Sequence, residues 1–186
     1  FNSDRPKVLH HVHNKPMIHH VIESVNECNI PNTCLVVGYK KDDVISACQS
    51  YNVKHAIQEE QLGTGHAVVC ALPEIQKTTP IHCLILAGDC PLIQAKTLNE
   101  LINTHINTDA AATILTAKLN DAGNYGRIIR SKTNDILSIK EAKDCNEKER
   151  LIQEFNSGIY CFKTDALINS IENIRTNNVQ NEYYLT

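Results

Sequence analysis

The chain has 186 residues, of which 18 are Lys or Arg, 21 are Asp or Glu and nine are His, so its formal net charge is −3. That length suits one domain that buries about 70% of its unfolded surface, and 42% hydrophobic residues are enough for a core. The charge balance excludes a broad basic surface for nucleic acid or acidic membranes, and no apolar run approaches the roughly 20 residues that span a bilayer.

Hydrophobic periodicity in the first half alternates between strand and helix. The run 82–87 is nearly all apolar, which is typical of a strand buried on both faces. A proline interrupts the third helical pattern, so we expect that helix to end at Pro73. The predicted strands are 33–39, 53–57 and 82–87, and the predicted helices follow Pro16, Asp42 and Thr64 and cover 98–106.

The second half changes character, because strands predominate. They are predicted at 110–117, 126–130, 136–140 and 158–162, with a hairpin turn at 132–135 and a last helix capped by Thr164 and Asp165. The alternation in the first half predicts βαβ units and a mainly parallel sheet covered by helices on both faces. We therefore expect a single α/β domain over residues 1–186 with an added, more antiparallel portion.

Eight cysteines are distributed along the chain, and none forms a CxxC pair. Secreted disulfide scaffolds are short and poor in core residues, and this sequence is neither. We therefore interpret the cysteines as free thiols and expect a cytoplasmic location. Five histidines between residues 10 and 20 lack the paired spacing of a closed zinc site, which disfavours structural zinc.

A polar segment with two glycines, residues 58–66, lies between a predicted strand and the helix that follows Thr64. Glutamine amides carry both a donor and an acceptor and can pair with a nucleobase edge, and glycines let backbone N–H groups approach a ligand. A turn followed by a helix cap is the simpler interpretation of Gly63-Thr64-Gly65 taken alone. Ligands of open parallel sheets bind beyond the carboxyl ends of the strands, where this segment falls.

Asp89 follows the apolar strand 82–87 in the run Gly88-Asp89-Cys90-Pro91. A carboxylate at a strand end suits a Mg²⁺ ion that carries phosphate oxygens, although an Asx-type turn explains the same composition. Lys7 could reach a phosphate as a point charge or could be a solvated surface residue. Segments 124–128, 141–144 and 156–160 place Gly, Glu or Asn at strand ends, where such groups hold sugar hydroxyls; hairpin chemistry and exposed charge explain them as well.

These segments occur in a fixed order. They are Pro6-Lys7-Val8-Leu9-His10, Asn14-Lys15-Pro16-Met17, Gln58 to Ala67, Gly88-Asp89-Cys90-Pro91-Leu92, Asn124-Tyr125-Gly126-Arg127-Ile128, Asn156-Ser157-Gly158-Ile159-Tyr160 and Asn181-Glu182-Tyr183-Tyr184-Leu185-Thr186. Over essentially the whole chain the series resembles the uridyltransferase domain of the bacterial bifunctional N-acetylglucosamine-1-phosphate uridyltransferase/glucosamine-1-phosphate acetyltransferases. One departure is Asn14-Lys15-Pro16-Met17, where the family has Gly-x-Pro-Met.

The resemblance implies a Rossmann-like nucleotide-diphospho-sugar transferase fold and uridylyl transfer from UTP to N-acetylglucosamine-1-phosphate for cell-wall precursor synthesis. It implies catalytic roles for Lys7, at the nucleotide phosphates, and for Asp89, as the Mg²⁺ ligand. Ala87 and Gly88 match the strand end that precedes this ligand. The implied uracil-reading positions are Gln58, Gly63 and Thr64, with Gln61 close by as a further substrate-binding position. The implied N-acetylglucosamine positions are Gly126, Glu141 and Asn156.

The family pattern extends beyond both ends of the printed sequence. An N-terminal strand with a glycine-rich triphosphate loop, a second Mg²⁺ ligand and the acetyltransferase β-helix lie outside it. We therefore expect the 186 residues alone to turn over poorly, and the longer protein to form a homotrimer through the β-helix. Neither nucleic acid nor membrane is an expected partner.

Two other functions stay open. One is nucleotidyl transfer to another sugar-1-phosphate or from another nucleotide, which Gln58 and the pair Glu141 and Asn156 disfavour. The other is a non-catalytic module that binds sugar nucleotides. A nucleotide panel and a binding titration distinguish these two from the first.

Overall fold

Residues 3–186, which the computed structural model describes, form six α-helices, nine strands and a short 3₁₀ helix at Lys7–Leu9. The helices are α1 (Met17–Glu27), α2 (Lys41–Ala47), α3 (Thr64–Thr78), α4 (Ala95–Thr108), α5 (Glu147–Arg150) and α6 (Thr164–Ile171). The strands are β1 (His11–Val12), β2 (Lys15–Pro16), β3 (Cys34–Val37), β4 (Lys54–Ile57), β5 (His82–Ile85), β6 (Ala112–Lys118), β7 (Arg127–Arg130), β8 (Ile136–Lys140) and β9 (Glu154–Lys163). The predicted α/β class is confirmed, and Phe1 and Asn2 lie outside the described residues.

The first half contains the predicted βαβ unit. Strands β3 and β4 are parallel, with Cys34 opposite Lys54 and Val37 opposite Ile57, and α2 connects them. Apolar side chains from the 3₁₀ helix, α1, β3 and α2 bury together around this pair. Because the two strands end side by side, the segments that follow Val37 and Ile57 meet at one edge of the sheet.

The second sheet corrects the expectation of mainly parallel pairing. Its strand order is β5-β9-β7-β8, and β6 also pairs with β9. Each of its described pairings is antiparallel, as is the pairing of β1 with β2. Within residues 3–186, β3 and β4 therefore form the one parallel pair. Strand β5 was expected to have parallel neighbours. It pairs instead with the last four residues of β9, because that ten-residue strand runs opposite to it through the middle of the sheet.

Strand β9 starts at Glu154, four residues before the predicted strand 158–162, and it contains a bulge. Ile114 of β6 lies opposite Tyr160, but Thr116 lies opposite Asn156, so β9 uses four positions where β6 uses two. Gly158, within the bulge, has φ +76°, a left-handed conformation that glycine adopts without steric cost. The irregular spacing explains why sequence alternation revealed only the second half of this strand.

Helix α3 corrects a second expectation, because it continues through Pro73 to Thr78. Proline removes one backbone hydrogen bond and strains the helix, which typically ends it. Here the helix carries Val68, Leu72 and Ile75 into a shared apolar cluster with α6, and this burial offsets the loss. The exposed side chain of Pro73 points away from that cluster.

Two further features concern the cysteines and the possibility of a membrane span. All eight cysteine thiols are free, and three of them (Cys48, Cys145 and Cys161) are buried. Within residues 3–186 no helix combines the length and the apolarity that crossing a bilayer requires.

Candidate active site

Lys7 and Asp89 form an ion pair between the amino-terminal segment and the end of β5. Lys7 Nζ donates to Asp89 Oδ2 at 2.5 Å, and this hydrogen bond raises the pKa of the lysine. Ala87 and Gly88 lead the chain from β5 to this carboxylate. A Cβ at Gly88 would lie 3.0 Å from Ile18 Cδ1, so the missing side chain lets the strand end approach α1 closely. The pair joins the two sequence-predicted catalytic residues.

Gln58 comes directly after β4, and its backbone N–H donates to the carbonyl of Val37 at the end of β3. Its side-chain nitrogen donates to the carbonyl of Gly63 at 3.1 Å. These bonds place the side chain beside a cavity of about 240 Å³. The cavity is lined by Gln58, Gln61, Gly63, Thr64, Ala67 and Glu182. The three positions that were expected to read uracil therefore line one cavity, together with Gln61.

Gly63 and Gly65 are needed for a reason that the sequence did not suggest. The carboxyl-terminal segment crosses directly above them: Tyr183 N–H donates to Leu62 O and Gly65 N–H donates to Tyr183 O, each at 2.7 Å. A Cβ at Gly63 would lie 2.6 Å from Tyr183 O, which is closer than any packed side chain tolerates. The glycines therefore let the chain's own segment approach, and Thr64 Oγ1 accepts from Leu185 N–H at 3.0 Å.

Gly126, Glu141 and Asn156 also come together. Asn156 N–H donates to the carbonyl of Gly126 at 2.8 Å, and a Cβ at Gly126 would lie 2.9 Å from Glu141 Oε1. Burial raises the pKa of Glu141, and the negative charges of Asp144 and Glu182 raise it further. The Asn156 side chain is buried in the β9 bulge, where its Nδ2 donates to the Tyr160 hydroxyl at 2.6 Å.

A second cavity, of about 560 Å³, opens beside Glu141 and is bounded by the last residues of the chain. Tyr184 lines it, and the Tyr184 hydroxyl is buried without a hydrogen-bond partner among the described residues. The run 181–186 belongs to the family pattern, but the sequence predicted no role for its residues. The signal for Tyr184 is an orphaned polar atom, which only the folded chain reveals.

Glu182 lies near both cavities. It lines the smaller one, and its negative charge acts on Glu141, which lines the larger one. Tyr125, in the loop before β7, acts electrostatically on Lys7. Lys7 and Asp89 line neither cavity. The predicted residues thus form three groups. The first is the pair of Lys7 and Asp89, the second is the amide and glycine positions that line the smaller cavity, and the third surrounds the partly buried carboxyl group of Glu141 at the larger cavity.

The family described as nucleotidyl transferase matches residues 2–183 of the chain. Among curated proteins, the chain is 44% identical over 184 residues to the bifunctional protein GlmU of Clostridium botulinum (strain Loch Maree / Type A3), 47% over 185 residues to that of Clostridium beijerinckii and 42% over 184 residues to that of Syntrophomonas wolfei. Each match covers 99% of this chain and 40% of the relative. The chain thus spans well under half the length of these relatives.

Solved structures with the same fold are more distant in sequence. HddC from Yersinia pseudotuberculosis complexed with GMP-PN aligns at a TM-score of 0.70 and 23% identity, covering 98% of this chain and 74% of that one. A putative glucose-1-phosphate thymidylyltransferase from Bacillus anthracis aligns at 0.72 and 20% identity, covering 89% and 65%. With the family match, these likenesses confirm the expected nucleotide-diphospho-sugar transferase fold.

Proposed function

The chain belongs to the nucleotidyl transferase family, and from this premise we propose that it transfers a uridylyl group from UTP to N-acetylglucosamine-1-phosphate, as one half of a bifunctional enzyme of cell-wall precursor synthesis. The observation that carries the proposal is the meeting of Gly126, Glu141 and Asn156, of which Glu141 lines the larger cavity. Glu182, which lines the smaller cavity at Gln58, acts electrostatically on Glu141. The similarity to curated GlmU proteins at 42–47% identity supports the choice of substrates.

The smaller cavity would hold the uracil. Gln58 offers its carboxamide there, and Gln61, Gly63 and Thr64 line the remaining wall. Such a cavity suits a flat ring that is read along one edge by hydrogen bonds, because its polar groups are few and fixed by the turn before α3.

The larger cavity would hold the N-acetylglucosamine moiety. The partly buried carboxyl group of Glu141 can pair with sugar hydroxyls, and the unpaired Tyr184 hydroxyl can take a hydrogen bond from the same ligand. Both groups gain a partner when a polyhydroxylated ring enters, which offsets the cost of their burial.

The reaction itself needs little acid–base chemistry. A phosphate oxygen of the sugar-1-phosphate attacks the α-phosphorus of UTP, and the bond from that phosphorus to the β-phosphate oxygen breaks as pyrophosphate leaves. The nucleophile is already an anion, so no general base is required. The residues of the chain contribute positioning and positive charge, the latter from the exposed Nζ of Lys7.

A divalent cation fits the donor set. No group of three or more His, Cys, Asp or Glu side chains suited to a metal occurs in residues 3–186. Mg²⁺ is commonly held by one or two carboxylates plus phosphates and water, so Asp89 fits as one protein ligand of that type. When bound, the ion would neutralise phosphate charge, and Lys7, which now pairs with Asp89, would be free to contact a phosphate.

The same proposal places the protein in the cytoplasm and assembles its longer form as a homotrimer. It is tested by calorimetric titration with UDP-N-acetylglucosamine, together with pyrophosphate release from UTP and N-acetylglucosamine-1-phosphate. We expect saturable binding that weakens in Glu141→Gln and is lost when the uridine or the N-acetyl group of the ligand is replaced. Equal binding of a panel of nucleotide sugars would contradict the proposal and favour another nucleotidyltransferase.

Binding without pyrophosphate release, even in a protein of the relatives' full length, would favour a non-catalytic module. Gln61→Ala is a suitable companion variant, because it lines the uracil cavity and leaves the carboxyl group of Glu141 in place. It should weaken binding of the uridine part alone.

A further inference from the structure

The carboxamide of Gln58 has a fixed orientation. Its Nε2 lies 3.1 Å from the carbonyl oxygen of Gly63, and a carbonyl oxygen can only accept a hydrogen bond. The atom that faces it must therefore be the nitrogen. The second hydrogen of the same NH₂ group points at His66 Nδ1, which is also 3.1 Å away. Both donor hydrogens of Gln58 are thus used within the protein.

This contact defines the tautomer of His66. To accept from Gln58, Nδ1 must carry no proton, so the ring proton lies on Nε2, which faces Cys70 Sγ at 3.9 Å, one helical turn further along α3. The ring is also near Tyr183, with centroids 6.5 Å apart. The imidazole is held from two sides with its acceptor nitrogen toward Gln58.

The oxygen of the carboxamide has no such partner. Within residues 3–186 no group donates a hydrogen bond to Gln58 Oε1, and Gln58 lines the cavity next to Gly63 and Thr64. The side chain can therefore offer a ligand in the cavity an acceptor and no free donor.

We propose that His66 is a positioning residue for base recognition: beside the carbonyl of Gly63, it takes the second donor hydrogen of Gln58, which leaves only Oε1 to meet the base and so favours uracil over cytosine. The inference rests on the proposed function, because it assumes a pyrimidine base in this cavity. His66 itself does not touch the base and acts through Gln58.

The selection follows from the edges of the two pyrimidines. Uracil carries a hydrogen on N3, which Oε1 can accept, whereas cytosine in the same position turns the lone pair of its N3 toward Oε1. A free carboxamide would rotate by half a turn and offer its NH₂ group to cytosine. In its present place it cannot do so without setting Oε1 against the carbonyl of Gly63, a contact between two acceptors, and without moving the ring proton of His66 from Nε2 to Nδ1. One unpaired polar group of this kind costs about a tenfold to a hundredfold loss of affinity.

The test compares UMP with CMP by calorimetry on the chain and three variants. We expect the wild type to prefer UMP, and His66→Ala to lower the UMP:CMP affinity ratio about twofold to tenfold, the contribution of one hydrogen bond, because the carbonyl of Gly63 still orients Gln58. His66→Asn should keep most of the preference, because its side-chain oxygen can replace Nδ1 as the acceptor. Val69→Ala, an exposed change on the same helix, should leave the ratio unchanged.

Two results would overturn the inference. An unchanged ratio in a folded His66→Ala variant would remove His66 from base selection and leave the proposed function standing. A wild type that binds both nucleotides equally would overturn the proposed base specificity as well. If His66→Ala does not fold, nitrogen chemical shifts of the wild-type imidazole decide, since a protonated Nδ1 contradicts the arrangement.

Discussion

The ammonium group of Lys7 lies 2.5 Å from the carboxylate of Asp89, although 82 positions separate the two residues along the chain. The lysine starts a 3₁₀ helix near the amino terminus, and the aspartate ends the turn that follows β5. The pair is partly exposed, so it adds little to stability. Because the pair lies at a strand end, where ligands of such sheets bind, we expect it to act in ligand binding.

Asp89→Asn should therefore lower turnover by about 10²- to 10³-fold while the fold is retained. The amide keeps the shape but removes the charge that would hold a divalent cation. The measurement is pyrophosphate release at limiting Mg²⁺ by a protein of the relatives' full length, accompanied by Mn²⁺ binding in the presence of UTP. Asp4→Asn is the matched control, because Asp4 also pairs with a lysine, Lys40, at 2.7 Å. Wild-type turnover in Asp89→Asn at limiting Mg²⁺ would remove this residue from the site.

Arg127→Met should destabilise the fold by about 1–3 kcal/mol or more. Arg127 is 2% exposed, and its guanidinium donates to the backbone carbonyls of four residues, so the substitution removes these hydrogen bonds together. The four residues are Ala122, Gly123, Tyr125 and Arg150. Urea unfolding measures the change.

The control for Arg127 is Arg175→Met. Arg175 also donates to two backbone carbonyls, those of Glu172 and Ile174, but on an exposed segment where water replaces the bonds. Its loss should change the unfolding free energy by less than about 0.5 kcal/mol. Equal effects of the two substitutions would show that the loop before β7 does not depend on Arg127.

Pro73→Ala should stabilise the chain. Alanine restores the hydrogen bond to the carbonyl of Val69, and proline inside a helix costs about 3 kcal/mol, less about 0.4–1 kcal/mol for the stiffness that proline gives the unfolded chain. We expect a gain of about 2 kcal/mol in urea unfolding. Pro80→Ala, outside the helix, should give no gain. A neutral Pro73→Ala would mean that α3 accommodates its proline without strain.

Glu154 should make stability fall in acid. Hydrogen bonds from Arg130 lower the pKa of Glu154 from 4.5 to about 2, so its stabilising effect is complete above pH 4.5 and is lost as the pH falls toward 2. Glu154→Gln should therefore unfold with a shallower pH dependence in that range. Glu149→Gln is the comparison, because Glu149 pairs with Lys140 where solvent screens the charges. Parallel pH curves for wild type and Glu154→Gln would contradict the assignment.

Periodicity located most elements because it reports which face of a segment is buried. It predicted the parallel pair β3 and β4 and the hairpin of β7 and β8, where Ser131 N–H donates to Asp135 O across the turn at 2.8 Å. It did not predict the direction of the strands beside β5, since a half-buried apolar run reads the same in either orientation. Nor did it predict α3 beyond Pro73, where tertiary packing outweighs a local preference.

The candidate site was likewise predicted only in part. The family resemblance grouped Lys7 with Asp89 at the phosphates and Gly126 with Glu141 at the sugar, and the two members of each pair lie close together in the structure. The contacts of Gly63 with Tyr183, and the buried hydroxyl of Tyr184, depend on how the last residues return across the fold. Residues more than a hundred positions apart share no local sequence pattern from which their contact could be predicted.

The crossing of Tyr183 over the turn before α3 also has a consequence for motion. The amide of Tyr183 donates to Leu62 O, and its carbonyl accepts from Gly65 N–H. The amide hydrogens of Tyr183 and Gly65 are therefore exposed to solvent only when the two segments separate. They should exchange with deuterium at one common rate, as parts of a single cooperative opening. Filling the cavity at Gln58 should therefore slow exchange at the chain's last residues, although they lie some 120 positions away in sequence.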